Sequence, residues 1–311
     1  MGWLLGSEAQ VAWVLAVGSL LAMTAISGCS LVADANRVQC RVTADCPARG
    51  SEFAKAECID TFCVVPNDTS SGTTCASSSE CKGLDECSDG KCANPYSCMA
   101  KPQAAASVHV TVKVTDTNLA VLPNVPVRVC RNIDPPCATP FSVQTSDASG
   151  VAPLTLPPDF SGYLELVQAP FMPQLQVLPP NPQEGDELDV VLSPSQVIGG
   201  LAQYLGASLD PNRGHIYFTL LNCTGRAGGV RVSTTAAAPD TVTYYVLDGL
   251  PSGGLTATSP KDGAAGFLNY PVGNTAISVT SERTGLAIDK ISLVVRAGFV
   301  TYAVHQLTVE Q

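Results

Sequence analysis

Val108-His109-Val110-Thr111-Val112-Lys113-Val114-Thr115 decides the fold. Valines alternate with polar residues along it, the period of a strand with one face in a core and the other in water. Runs of the same kind follow at Val125/Val127/Val129, Val151 to Leu156, Leu164/Leu166 and Leu188/Val190/Leu192. Turn formers separate them, among them Asp116-Thr117-Asn118 and Asp147-Ala148-Ser149-Gly150. Short strands broken by such turns predict a β-sandwich over 107–192 rather than an α/β sheet. The period returns at Ile216/Phe218/Leu220, Val230/Val232, Val242/Tyr244/Val246, Ile277/Val279, Leu293/Val295 and Val300/Tyr302/Val304, which predicts a second sandwich over 213–311. A helical connector is expected at 193–212. Ser193 serves as N-cap, Pro194 takes the first helical position and Gln196 completes a capping box. Val197, Leu201, Tyr204 and Leu205 share one face, and Gly206 is the stop.

Composition narrows the class. The chain has 311 residues, enough for two domains with further segments. Only 14% of residues are charged and the mean hydropathy is +0.19, which suits a β-rich exported protein and excludes wholesale disorder. A net charge of −10 with no basic stripe argues against a nucleic-acid partner. Thirteen cysteines are too many for a reducing cytosol; with Cys29 set aside, the even remainder fits disulfides.

Eight of those cysteines form a repeat. Cys40-x5-Cys46 and Cys58-x4-Cys63 make one module, at 40–66; Cys75-x5-Cys81 and Cys87-x4-Cys92 open the second, at 75–98. Glu57-Cys58-Ile59-Asp60 matches Glu86-Cys87-Ser88-Asp89, and Asn67 to Gly72 reads as a flexible link. Neither module has enough apolar side chains for a core, so cross-links must replace one. Each module allows three pairings, and spacing does not choose among them. Zinc is the rival, but no C-x2-C knuckle is present. Cys130 and Cys137 flank Asp134-Pro135-Pro136 and are expected to close that loop. If both modules pair internally, Cys98 is left for Cys223, a bridge that would clamp the module region onto the distal domain; with five cysteines in the second module region, several other pairings also fit.

The amino terminus carries an uncharged run, Val11 to Ile26, of signal-core length and short for a membrane span. It ends in Ile26-Ser27-Gly28-Cys29, which resembles the bacterial lipobox. That resemblance implies a signal peptide at 1–28, lipid on Cys29 and a tether at 29–39. Ser30, in place of Asp, implies the outer membrane, at its periplasmic face or the cell surface. Several acyl chains at about 0.8 kcal/mol per buried methylene would anchor the chain firmly. The modules resemble cysteine repeats of myxobacterial-type surface lipoproteins and, loosely, Dickkopf-like segments.

A second resemblance lies in the sandwiches. Val114-Thr115-Asp116, Leu122-Pro123-Asn124-Val125-Pro126-Val127 and Thr145-Ser146-Asp147-Ala148-Ser149-Gly150-Val151 are similar to the carboxypeptidase-regulatory-like (transthyretin-related) domain. In the second copy Ala227-Gly228-Gly229-Val230 resembles its "A-x-G-V" opening, and Pro271-Val272-Gly273 its "P-x-G" turn. Asp262-Gly263-Ala264-Ala265-Gly266 takes the place of Asp147 to Gly150. The resemblance implies a non-catalytic sandwich used for display.

Chemical motifs are few. His109, His215 and His305 are each placed on the polar face of a strand, without a second histidine at ligand spacing. No G-x-S-x-G elbow, P-loop or dinucleotide fingerprint opens a helix, so no cofactor is expected. Glu184, Asp186, Glu187 and Asp189 lack the D-x-D-x-D-G order of a calcium loop and read as a solvated turn. Phe160, Tyr163 and Phe171 are candidate ligand-facing aromatics for sugar stacking, against core packing as the plainer reading. The expectation is a non-enzymatic, envelope-anchored lipoprotein, mainly β, whose partners are membrane lipid through Cys29 and an envelope protein or glycan. The alternatives are a carbohydrate- or peptidoglycan-binding surface protein and, behind it, a cryptic hydrolase. The hydrolase requires at least two of His215, His305, Asp147 and the acidic run to converge.

Overall fold

The computed structural model describes residues 57–59, 62–64, 73–98 and 103–309. Cys29, Cys40 and Cys46 lie outside them. The chain divides into two compact units, one within 30–95 and one that includes 96–311.

In the first unit, β1 (Glu57–Ile59) pairs antiparallel with β2 (Phe62–Val64), and β3 (Glu86–Ser88) with β4 (Lys91–Ala93). The registers match: Cys58 stands opposite Cys63 as Cys87 stands opposite Cys92. Asp89 and Gly90, both at positive φ, make the two-residue turn of the second hairpin. The facing cysteines there do not bond to each other. Cys75 is joined to Cys87 and Cys81 to Cys92, first to third and second to fourth. Each closes a short loop for roughly 3 kcal/mol in the chain-entropy account, in place of a core. The shared spacing leads to an expectation of the same pairing in the first module. Peptide mapping without reduction is expected to recover Cys40 linked to Cys58 and Cys46 linked to Cys63; Cys58 linked to Cys63 would overturn the equivalence.

Among the described residues the second unit holds sixteen strands and one helix. The strands are β5 (Val108–Asp116), β6 (Pro126–Arg131), β7 (Ser142–Thr145), β8 (Val151–Leu156), β9 (Gly162–Leu166), β10 (Gln174–Val177) and β11 (Glu187–Leu192). Helix α1 (Ser195–Tyr204) follows. Then come β12 (Gly214–Asn222), β13 (Gly225–Arg226), β14 (Val230–Ser233), β15 (Val242–Leu247), β16 (Leu250–Ser252), β17 (Ala264–Tyr270), β18 (Gly273–Ser281), β19 (Ala287–Val295) and β20 (Val300–Gln306).

β5 sits between β11, parallel, and β8, antiparallel. This register aligns Val108, Val110, Val112 and Val114 with Leu156, Leu154, Ala152, Leu188 and Val190, all buried. Opposite them the sheet β10-β9-β6-β7 contributes Val127, Val129, Leu164 and Leu166. Each such side chain, fully buried, is worth about 1.5–3 kcal/mol. In the second sandwich the equivalent of the β11-β5-β8 sheet is β20-β12-β17, extended by β15 and β16, and β14-β18-β19 lies opposite. In both, the first strand is parallel to the last and antiparallel to its other neighbour.

The two copies share a side-chain latch. Ser146 Oγ donates to Leu122 O (2.7 Å) and accepts from Val125 N (2.9 Å); Thr258 Oγ1 donates to Ala227 O (2.6 Å) and accepts from Val230 N (3.1 Å). The backbones agree as well: Asn124 N donates to Ser146 O and Gly229 N to Thr258 O, each at 2.8 Å. The carbonyls of Gly150 and Gly263 then accept equivalent bonds from Val114 N and Leu220 N. The matching turn in the second copy is therefore 258–263, ending at Gly263, rather than 262–266. One extra residue separates latch and glycine there.

One sheet runs through both copies. β10, an edge of the first sandwich, pairs parallel with β20, an edge of the second, through Gln174↔Val300, Leu175↔Thr301 and Gln176↔Tyr302. The resulting order is β16-β15-β17-β12-β20-β10-β9-β6-β7, with β13 on β12. Pairing two edges removes two rows of open backbone groups. Register shows that the cores lie on opposite faces of this sheet. Val127, Val129, Leu164 and Leu166 point to one, and Ile216, Phe218, Leu220 and Phe267 to the other.

Helix α1 covers the remaining part of the first face. Ala202, with Leu201 and Leu205, packs on Tyr244, Val246, Ala264 and Leu268. This departs from expectation in two ways. The buried helical residues are Ile198 and Ala202, while Val197 and Tyr204 are exposed. Ser193 caps nothing, because Ser193 and Pro194 are still paired with Met172 and Phe171 as extended chain, and the helix starts only after them.

Candidate functional site

The most heavily built polar cluster centres on Glu165. Alternation along β9 puts Leu164 and Leu166 into the first core and Glu165 on the opposite face, beside Arg128 of β6. That face is not solvated. The β19–β20 loop folds over it, and Glu165 is only 3% exposed. Arg128 Nη1 and Arg296 Nη1 donate to its two carboxylate oxygens. Arg128 Nη2 also reaches Cys137 O (2.6 Å), while Arg296 reaches Pro135 O (2.6 Å) and the Tyr163 hydroxyl (2.7 Å). The Arg296 guanidinium lies over the rings of Tyr163 and Phe299 at 5.4 and 5.3 Å. Gly214 makes room for this loop: a Cβ there would sit 2.4 Å from Arg296 O.

The Cys130–Cys137 disulfide floors the cluster, packed with Tyr163, Leu175 and Val294. Its loop turns at Asp134, whose carboxylate accepts from Thr139 N (2.8 Å) and is held below the ordinary aspartate range by that bond. Tyr163 donates to Asp134 O and Pro135 O, and burial pushes its hydroxyl pKa up. Every group here satisfies another, so the cluster fastens the second sandwich to the first and offers no open ligand. Sequence reading missed Glu165, Arg128 and Arg296. The available signal was one acidic residue inside the apolar run Tyr163-Leu164-Glu165-Leu166.

Of the three candidate ligand-facing aromatics, Phe160 and Tyr163 follow the plainer reading and are packed. Phe160 is 8% exposed and tilts against Phe141 at 5.4 Å, and Tyr163 is 1% exposed. Phe171 pairs through its backbone with Pro194. Packing claims Tyr163 because β9 is covered on both faces, and Phe160 because its ring lies against Gly162 at the start of that strand. The exposed ring in this region is Phe141, under Arg131 at 5.2 Å.

The histidines do not converge. His109 and Glu184 pair on the surface at 3.1 Å, an arrangement worth under about 1 kcal/mol. His305 Nε2 lies 3.0 Å from Asp289, on the sheet face opposite His215. Burial raises the Asp289 pKa, but His305 and the Thr308 amide outweigh it and hold the carboxyl low. Asp147 caps its own turn through Ser149 and Val151. In the acidic run, Asp186 accepts from Gln183 N at 2.9 Å, and Glu187 and Asp189 lie on β11 opposite Thr111 and Lys113.

His215 lies on its expected strand face with Tyr217 and Thr219, but that face is buried rather than solvated. It is 3% exposed, and Asn269 N donates to its Nδ1 at 3.3 Å. The face it shares with Tyr217 is covered. Burial lowers its pKa, so the unfolded chain takes up a proton before the folded one does. The stability it contributes is complete above about pH 6.5 and is lost as pH falls below that value. Denaturant melts from pH 7.5 to 5.5 are expected to show this slope, and His215→Gln, which cannot titrate, to flatten it. An unchanged slope in the variant would clear His215 of the effect.

Among the described residues no helix is long and apolar enough to cross a membrane. No family model and no curated protein matches the chain. Solved structures similar to it include the Bacillus anthracis TIE protein, at TM-score 0.23 and 12% identity over 65% of this chain and 34% of that one. The shaft pilin SpaA of Lactobacillus rhamnosus GG has TM-score 0.21 and 10% identity over 66% of this chain and 98% of the pilin. The minor pilin GBS52 of Streptococcus agalactiae has the same score and identity over 66% and 97%. The chain spans about a third of the length of the TIE protein. At TM-scores this low the likenesses decide neither family nor function. The chain is a mainly β protein in which a disulfide-rich N-terminal region precedes β-sandwiches.

Proposed function

We propose that this is a non-enzymatic envelope lipoprotein, anchored through acyl chains on Cys29, that holds a rigid double sandwich away from the membrane for display or structural service. The observation that supports it is how the polar groups are used. Glu165, Arg128, Arg296, His215, His305, Asp289 and Asp147 are each engaged in holding one strand, loop or turn to another. An enzyme keeps such groups convergent and accessible to a substrate. Four disulfides among the described residues fit an oxidising compartment. Burial of Phe160 and Tyr163 leaves the glycan-binding reading without its platform.

Mass spectrometry of the membrane fraction tests the proposal. The expected species begins at Cys29, carries acyl chains there and has no free thiol. A chain recovered soluble, unacylated and reduced would overturn it.

A further inference from the structure

The bridge between Cys98 and Cys223 spans 125 residues, and its position has a mechanical meaning. Cys98 lies just past the second cysteine module, where the chain enters the larger unit. Cys223 lies in the turn between β12 and β13. The covalent ring they close contains β5 to β11, helix α1 and β12, which includes the whole first sandwich. Gln306 Nε2, on β20, donates to Cys98 Sγ (3.1 Å) and to Leu221 O (3.3 Å), so the attachment point is held to the middle of the long sheet. β12 is flanked there by β13 and β20, and by β20 and β17 along its earlier residues.

We infer that this disulfide is a load shunt: tension arriving along the N-terminal stalk passes from Cys98 directly to β12 and leaves the first sandwich unstretched. Without the bridge the same pull would run through residues 99–107 into β5, which is held on each side by only one strand of a three-stranded sheet. With it, a pull can peel only the part of the chain beyond Cys223. Cys223 is exposed and Cys98 half-buried, whereas Cys130 and Cys137 are fully buried. Reductant therefore reaches the shunt before the Cys130–Cys137 bridge and redirects the load. The inference rests on the N-terminal tether proposed above for the direction of pull, and the covalent path can be tested apart from any lipid.

The test is single-molecule stretching of the full chain between handles fixed at its two ends without cysteine chemistry. Oxidised protein is expected to stop short of the length reached by Cys98→Ser/Cys223→Ser by about 400 Å, since each extended residue spans ~3.3–3.6 Å. Reductant added to the unaltered protein should recover at least that length, and more as the smaller disulfide loops open in turn. Contour length is equally readable if the double variant fails to fold. Equal final lengths for oxidised protein and double variant would overturn the shunt. They would leave lipid attachment at Cys29 untouched, as absence of lipid would leave the shunt.

Discussion

Glu165→Ala is expected to cost about 3–5 kcal/mol, the penalty for removing one partner of a buried ion cluster. The loss falls on two guanidinium groups at once. Arg296 keeps Pro135 O, the Tyr163 hydroxyl and two aromatic faces, but loses the carboxylate it bonds directly and retains only the through-space pull of Asp134. Arg128, about one-third exposed, can turn toward water. Arg128→Ala should therefore cost less than Glu165→Ala, and Arg296→Ala more than Arg128→Ala. Domains of ordinary stability have only ~5–15 kcal/mol to lose. Urea melts with unchanged slope and shifted midpoint would measure all three. A loss below about 1 kcal/mol for Glu165→Ala would mean that water enters the cluster and the sandwiches are fastened by the strand seam alone. Replacing all three residues with packed apolar side chains tests the same point from the other side, because exchanging a whole buried ion cluster is often neutral or stabilising.

Gly150→Ala and Gly263→Ala are expected to cost about 3 kcal/mol or more each. Their φ angles are +76° and +56°, in the left-handed region where a Cβ alone costs ~1–2 kcal/mol. The space is closed as well. An added Cβ would lie 2.7 Å from Val114 O at the first position and 2.7 Å from Leu220 O at the second. Both oxygens belong to paired backbone and cannot swing aside. Gly229 provides the control. It also has positive φ, +65°, yet nothing lies within 4 Å of its Cβ position, and its counterpart in the first sandwich is Asn124 at +59°. Gly229→Asn should thus be nearly neutral. If thermal melts put it level with Gly263→Ala, the structural equivalence of the two turns is wrong.

The strands could be read from the sequence because alternation is a local property, and each buried row, such as Val108/Val110/Val112/Val114, is visible in one segment. The turns could be read too, since Asp147 to Gly150 must supply a cap and a positive φ whatever surrounds them. The cover over the outward face of a strand is not local. Glu165 and His215 have the alternation of solvated residues, and only the β19–β20 loop and the layers over the long sheet bury them. The seam between β10 and β20 leaves no mark in either strand, because Gln174-Leu175-Gln176 reads as an ordinary short edge. The pattern places the helix correctly along the chain but gives its face only in part: Leu201 and Leu205 pack as read, while the sheet takes Ile198 and Ala202 in place of Val197 and Tyr204.

The long sheet has its C-terminal strand near its middle, β20 lying between β12 and β10. Both neighbours are made far earlier, so during synthesis the gap waits until Val300 to Gln306 have emerged. Pairing across such sequence distances is slow, and unclosed strands seek other partners meanwhile. A ribosome that stops before Val300 leaves two naked flanks facing one another across an empty slot. Such a fragment is expected to be captured by chaperones or to clump, although every strand from β5 to β19 is already made.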